Sequence, residues 1–594
     1  MMYTLTVLGT GSIQAYIFGS NSLRENIGAS DLVARATTIW VFDNLSKVCK
    51  HNVVNINSND LTWELSEEHH IEEPAHGLTA EIIYAGGGNT VILFGGEQSK
   101  ETAKRFVYDW SLQVLDQAPG LEIYAVHIPF DWDNGSLPAA LEQGMEELSK
   151  LRSRLPGTQA LLGLGVTAAC SSSGLPANGP HPDSDKQGSL ANIANSSVTA
   201  KWKAAKPATD RLRNMLNIGN FEWTDNLNII GDLPGRGDSY VAVVHADGNG
   251  MGKRIILLNE VCDFVKMPAR PFIRAMRYLS HELNGTAEKA LQKTVEVLHD
   301  EINSRTLEGE VYYPSVDGKA YFPFRPVVFG GDDVTWVCAG PLALTTAQRY
   351  LRELEKGKAL PSFQYLLQDC AGIPDAAAKL EEFERKTGKK IPVSDTPFAC
   401  AGVAIVKTHY PFFQAYQVSE ELAGSAKKFV HKIREDKLAS AIDWHYTTTG
   451  LNDTLEQIRA REYTTARGDL LSARPLVLDE DYSWRHWENF LDIWRKFNEE
   501  WFDKRNKMMA LREALRQGPA AVTHFEKIQK VKLPQPSLTP ARAGAYSGQP
   551  LELQGGWVSL PEQNDDKPTC IYLDIVEVEK HLVELHEWEE VSDE

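Results

Sequence analysis

At 594 residues the chain has room for roughly three to five domains of ordinary size. Its net charge of −19 excludes a protein that grips nucleic acid mainly through its own surface, which is usually basic. It leaves open a nucleotide ligand, whose phosphates Mg²⁺ and a few lysines can neutralise. No run of about 18 uncharged apolar residues is present, and the N-terminal residues lack the basic and apolar regions of a signal peptide, so no membrane association and a cytoplasmic location are expected. The seven cysteines are scattered without a CxxC pair, which argues against a disulfide framework and against a complete cysteine zinc site.

The apolar run at residues 3–8 predicts a strand, and residues from about 22 to 46 read as helical. Two apolar runs at 82–94 flank Gly86, Gly87, Gly88 and Asn89, the pattern of a hairpin with glycines at its turn. A strand at 121–127 and a helix from about 138 to 154 follow. Residues 161–235 are rich in Ser, Gly, Pro and Asn and are expected to be a loop-rich insert. The same order then recurs. A strand at 240–246 ends at Asp247-Gly248-Asn249-Gly250 and leads into a long helical stretch. A hairpin at 325–338 turns at Gly330-Gly331-Asp332-Asp333. A strand at 399–406 and a helix from about 411 to 431 complete the repeat. Beyond 450 the pattern turns helical. Trp487, Phe490, Leu491, Trp494, Phe497 and Trp501 recur at three- and four-residue spacing, a stripe expected to pack a core rather than stack on bases. The expected fold class is α+β. Two ferredoxin-like βαββαβ domains occupy 1–160 and 236–450, the insert lies between them, and a helical domain spans 451–594.

One repeat carries carboxylates at its turn and the other does not. Ferredoxin-like topology sets the first strand beside the third, so Asp247, Asp332 and Asp333 are expected to converge as ligands of Mg²⁺ (or Mn²⁺). Such ions stabilise the attacking and leaving oxygens of phosphoryl or nucleotidyl transfer. Gly330 and Gly331 let the turn adopt positive φ and keep side chains away from a ligand. Gly248, Asn249, Gly250 and Lys253 form a strand end, a glycine loop and a helix start whose N–H groups can cradle phosphates, and the Gly248 carbonyl is a further candidate metal ligand. Lys427, beside Lys428 on the last helix, can reach a triphosphate as a point charge.

These motifs resemble the palm-containing large subunit of type III CRISPR RNA-guided effector complexes, related to diguanylate and adenylyl cyclases. The segments that carry the resemblance are Ala246–Gly252, Gly330–Asp333, Ala426-Lys427, Gly11–Phe18 with Leu23–Leu32, and Ala473-Arg474-Pro475. The resemblance implies two palms. The second would hold metal through Asp247, Asp332 and Asp333, and the first would shape a partner nucleotide site with Gly86, Gly87, Gly28 and Ser30. It implies ATP as substrate and a nucleotide second messenger as product, either a cyclic oligoadenylate or an AMP conjugate of S-adenosylmethionine. It implies other effector subunits, guide RNA and target RNA as partners. Two departures are visible. The chain opens at the first palm, so the HD nuclease of many members is expected to be absent, and His299-Asp300 is expected to be helix surface. At Cys170-Ser171-Ser172-Ser173 a serine stands where a second zinc-binding cysteine is expected, so zinc is not expected. A stand-alone palm cyclase without guide RNA, and a non-enzymatic nucleotide-binding scaffold, are the competing readings; the intact aspartates weigh against the scaffold.

Overall fold

Strand β1 (Met2–Gly11) is buried along nearly its whole length, which a strand achieves only between two neighbours. It lies between the second strand of the hairpin β2 (Ala80–Gly86) and β3 (Asn89–Phe94) on one side and β4 (Glu122–Asp131) on the other. The resulting four-stranded antiparallel sheet has the order β2-β3-β1-β4. The computed structural model describes residues 2–154, 165–184, 192–235, 239–308, 310–357, 375–391, 396–433, 438–447, 453–501, 504–539, 552–559, 567–579 and 582–585. Helices α1 (Leu23–Thr37) and α2 (Ile39–Val48) follow β1, with Thr38 breaking what the sequence suggests is one helix. Helix α3 (Ser99–Gln117) joins the hairpin to β4, and α4 (Leu137–Arg154) follows β4.

The second half repeats the plan. Strand β5 (Tyr240–Gly248) is again buried on both faces. It leads through α6 (Met251–Val265) and the long α7 (Ala269–Leu307) to the hairpin β6 (Phe324–Gly330) and β7 (Asp333–Ala339). Helix α8 (Ala343–Lys356), β8 (Ala399–Lys407) and α9 (Phe412–Ile433) complete the repeat. The sheet order begins β6-β7-β5-β8, the same arrangement as in the first half. It is then extended by β9 (Ala441–Tyr446), parallel to β8, and by a two-residue edge strand, Leu476–Val477. Even the irregularities repeat. Each hairpin has its register shift at the third residue before the turn glycine, between Ile82 and Tyr84 and between Pro326 and Val328.

The halves share a core. Val241, Val243, Val327, Val337 and Val406 of the second sheet lie in one apolar cluster with Leu8, Ile82, Ile92 and Phe94 of the first. A buried ion network crosses the same boundary. Glu81 on β2, with no solvent exposure, takes Arg270 and Arg277 from α7, and Arg270 also pairs with Glu72. Burial alone would raise the Glu81 carboxyl, but the two arginines and the Ile71 N–H hold it below its usual range.

Two expectations need correction. The insert is not loop-rich throughout: Ser196–Met215 is a 20-residue helix (α5), capped by the Asn195 side chain accepting from the Val198 N–H. Residues 155–164 and 185–191 of the insert lie outside the described residues. Nor is the C-terminal region purely helical, since Glu552–Gln554, Trp557–Ser559 and Thr569–Cys570 form a small sheet. The tryptophan stripe is core, with Trp487, Phe490, Leu491, Phe497 and Trp501 buried on helix Trp487–Trp501 and Trp494 partly so. Arg474 is buried over Trp444 and Tyr463 and pairs with Asp574 and Glu577, which ties the C-terminal region together. His299 and Asp300 lie on α7, with Asp300 exposed. Among the described residues no helix is long and apolar enough to cross a membrane.

Candidate functional site

The end of β5 and the β6–β7 turn form the site. Asp247 faces Asp333 across the strand pair, and Gly330 faces Asp333 across a two-residue turn of Gly331 and Asp332. Gly331 has φ +66°, the left-handed value that the first residue of a tight primed turn needs. The turn is locked to β5 by the Gly248 N–H donating to the Asp332 carbonyl at 3.0 Å. Asp332 folds its side chain over Gly248, where any Cβ would lie 2.6 Å from the Asp332 Cβ and 2.7 Å from its Oδ2. Glycine at 248 is therefore what lets that carboxylate sit against the strand end. From α9, Lys427 reaches back to the same point, its Nζ 2.9 Å from the Gly248 carbonyl and 2.5 Å from Asp247 Oδ2.

These carboxylates repel one another. Burial and the adjacent Asp247 raise the Asp332 carboxyl. Burial and the charges of Asp247, Asp332 and Glu420 push Asp333 up to about 8, against the opposing pull of Lys427. Asp333 keeps 40% side-chain exposure, yet its Oδ1 is turned inward without a hydrogen bond, 3.3 Å from His245 Nδ1. Burial lowers the His245 pKa, and the ring is held by Thr335 Oγ1 at 3.1 Å. A divalent cation fits this site on three counts: an orphaned inward carboxylate oxygen, a second carboxylate packed on a bare strand end, and mutual repulsion that a cation would relieve. The three aspartates do not yet offer ligand atoms within 4.8 Å of one another, and Asp247 is turned onto Lys427. Among the described residues the one group that does is His70, Glu72 and Glu73. There Glu72 is held by Arg270, and Glu73 by His70 and His76.

The remaining sequence-derived residues divide. Gly250 has φ +80° and starts α6. Lys253 is exposed one turn on, close enough to His431 for both it and Lys427 to lower that ring's pKa, after burial. Asn249 turns into the protein instead: its N–H donates to Phe398 and its Nδ2 to Ala439. It fastens the loop rather than facing a ligand. Gly28 is likewise a packing residue. A Cβ there would lie 1.7 Å from the Lys201 carbonyl on α5, so the glycine permits the α1–α5 crossing, and Ser30 is half-buried on the same helix. Gly86, φ +147°, pairs with Asn89 across the first-half turn of Gly87 and Gly88, where Gly87 has φ +58°; a Cβ at Gly87 or Gly330 would meet nothing within 4 Å. Cys170 is buried. Burial raises its pKa, but bonds from Ser173, Asn195 and Ser172 outweigh this and lower it; no cluster of metal-ligating groups includes it among the described residues.

Three residues were not picked out from the sequence. His245 sits two before Asp247 on the same strand face, a period-two relation that could have revealed it. Glu420 is seven before Lys427, on the same face of α9, and accepts a hydrogen bond from Gln14 of the first half at 2.8 Å. Asn284 on α7 lies between the two turns. Its amide nitrogen is 3.5 Å from where a Gly86 Cβ would stand, and its oxygen 3.5 Å from a Gly331 Cβ. No local pattern marks it.

Fold and site together define an α+β protein with two like-ordered sheets, one of which carries a carboxylate cluster at the end of its central strand. No protein-family model matches the chain, and no curated protein does. Among solved structures it is similar to Csm1 large subunits of type III CRISPR complexes. A Csm1-Csm4 cassette in complex with cA4 matches at 11% identity and TM-score 0.42, over 89% of this chain and 64% of that one. Csm1 in T.onnurineus matches at 12% identity and TM-score 0.45, over 98% and 70%. A type III-B Cmr-beta structure in the apo state matches at 10% and 0.41, over 97% and 81%. The chain thus spans less than two thirds of the cassette chain's length.

Proposed function

We propose that this chain is the nucleotidyltransferase large subunit of a cytoplasmic type III CRISPR effector complex, its two sheets being palm domains. In this reading it converts ATP to a nucleotide second messenger, a cyclic oligoadenylate or an AMP conjugate such as that of S-adenosylmethionine, when guide RNA captures target RNA. One observation carries the reading: Asp247, Asp332 and Asp333 gather with Lys427 at a single strand end, beside a turn whose Gly330 faces open space. The motif resemblance supplies the substrate and the partners.

In the reaction a ribose 3′-oxygen forms a bond to an α-phosphorus, the bond from that phosphorus to the β-phosphate oxygen breaks, pyrophosphate leaves and the hydroxyl proton is released. Asp247, Asp332 and Asp333 would hold Mg²⁺, which when bound supplies charge neutralisation at the phosphates. Lys427 is placed to move from Asp247 to a phosphate oxygen, and it fixes the strand end through the Gly248 carbonyl. His245, buried behind Asp333 and bonded to Thr335, backs the inner face of that carboxylate at 3.3 Å. Mass spectrometry of the assembled complex with target RNA, ATP, S-adenosylmethionine and Mg²⁺ tests the reading. A nucleotide product is expected, and Asp332→Ala with Asp333→Ala should abolish it while assembly survives. No product from a complex verified to bind target, or full product from the double variant, would refute it.

A further inference from the structure

In each half, the helix after the fourth strand sends one cation back to the end of the first strand. Lys427 and Arg152 occupy the same place in those helices, each 15 residues beyond the first helical residue, Phe412 and Leu137. Both make the same bond. Lys427 Nζ donates to the Gly248 carbonyl at 2.9 Å, and Arg152 Nη2 donates to the Thr10 carbonyl at 2.8 Å. Thr10 and Gly248 are themselves equivalent, because the Thr10 N–H donates to Gly88 as the Gly248 N–H donates to Asp332. Gly9 faces Asn89 as Asp247 faces Asp333.

The equivalence inverts the charge. A Cβ at Gly9 would stand 2.4 Å from Arg152 Nη2, so the guanidinium fills the space in which the second half holds the Asp247 carboxylate. Arg152 also reaches Asn89 Oδ1 at 3.3 Å. Oε2 of the nearby Glu122 accepts from Ser12 and Tyr124, and among the described residues Arg152 forms no ion pair and its Nε has no partner. A half-buried guanidinium with no carboxylate paired to it within 4 Å, beside a turn whose Gly87 faces open space, is complementary to a phosphate.

Resting on the nucleotide reading above, we propose that Arg152 is a phosphate-positioning residue. It lets the first-half turn hold a phosphate group of a nucleotide without a divalent cation, whereas the second-half turn requires one. Equilibrium binding of ATP to the full chain, with Mg²⁺ and with EDTA, tests this. The wild-type chain should keep one class of ATP site in EDTA, and inorganic tripolyphosphate should displace ATP from it. Arg152→Gln should weaken that site at least about tenfold, and Arg152→Lys, a point charge without the planar fork, should weaken it less. Arg105→Gln, exposed on α3, should leave it unchanged. Unaltered Mg²⁺-dependent binding by Arg152→Gln would show that this variant is folded. ATP binding that vanishes in EDTA, or an EDTA-resistant site indifferent to Arg152→Gln, overturns the proposal alone. Failure to bind ATP under either condition overturns the nucleotide reading with it.

Discussion

The two halves differ at one place out of proportion to everything they share. Strand order, hairpin register, the position of the register shift and the backbone bond that locks turn to strand all recur. At the site, however, Asp247, Asp332 and Asp333 correspond to Gly9, Gly88 and Asn89, and the buried pair His245–Thr335 corresponds to Val7–Val91. Glu420, eight residues into its helix segment, corresponds to Met145. Six polar positions have thus become small, amide or apolar, and the lysine has become an arginine. The comparison teaches that the backbone supplies a place and the side chains decide its charge. Gathering carboxylates costs stability through desolvation and repulsion, as the raised pKa values of Asp332 and Asp333 attest. A fold keeps such a cluster where it serves chemistry, and where it does not, the same geometry is filled without carboxylates.

The largest effect should come from the acid that the first half does retain. Glu81 is the opposite of the aspartate cluster: fully buried, yet answered by two arginines of the other half. Glu81→Ala would strand Arg270 and Arg277 at the shared boundary and should cost about 3–5 kcal/mol, read from thermal or denaturant midpoints. Because the native pairing holds its carboxyl below the usual range, this stability is present above the unfolded carboxyl's pKa and is lost as pH falls through the lowered one. A neutral outcome would mean that the halves are joined by their apolar core alone. Next in size is Asp333→Asn, which copies Asn89 into the second half with almost no change of shape. Product formation should fall about 10²–10³-fold while the melting temperature holds or rises. Full activity from this variant would remove the distinction between the halves.

Much of this comparison could be read in the sequence, because glycine turns and strand runs are local signals. Gly86–Asn89 and Gly330–Asp333 stand between matching apolar runs, and the order of elements repeats around them. What escaped was whatever depends on tertiary placement. Arg152 and Glu420 are ordinary charged positions on amphipathic helices until the fold shows what they face. Asn284 is one residue in a 39-residue helix. Helix α5 was hidden by Pro207 in its interior, a strong local signal against helix that packing on α1 overrides. The shared core was hidden because alternation tells which face of a strand is buried and not which partner buries it.

A lysine in each setting gives a third, somewhat smaller prediction. Lys427 rests between two oxygens at the site, whereas Lys201, from the insert, is buried against the first half. Its Nζ donates to the Tyr16 carbonyl at 2.7 Å and lies 4.0 Å from the Tyr16 ring. Burial lowers its pKa to about 8, with Glu25 opposing. Below pH 8 both folded and unfolded states carry the proton, and the full penalty of the buried charge is felt. Between pH 8 and the unfolded value of 10.5 only the unfolded state keeps it, so stability rises with pH across that window. The gain is about 3 kcal/mol at about 1.4 kcal/mol per pH unit. Denaturant midpoints of wild type relative to Lys201→Met should therefore climb from pH 8 to 10.5; a flat difference would show that the ammonium is solvated.

The smallest effect asks whether the two turns serve one ligand set at all. Asn284 lies against both, its nitrogen toward Gly86 and its oxygen toward Gly331, and among the described residues its amide makes no hydrogen bond. An amide left unengaged between two glycine turns can give one bond and take one from molecules seated at either side. Asn284→Ala should raise the KM for ATP about five- to tenfold, the worth of roughly one neutral hydrogen bond, and leave the fold intact because no bond is broken in the free protein. The loss should be larger when both turns are occupied: in single-site binding measured in EDTA only the bond given on the Gly86 side is removed. An equal loss in both conditions would mean that Asn284 serves the first half alone, and that the two turns, alike in backbone and opposite in charge, work separately.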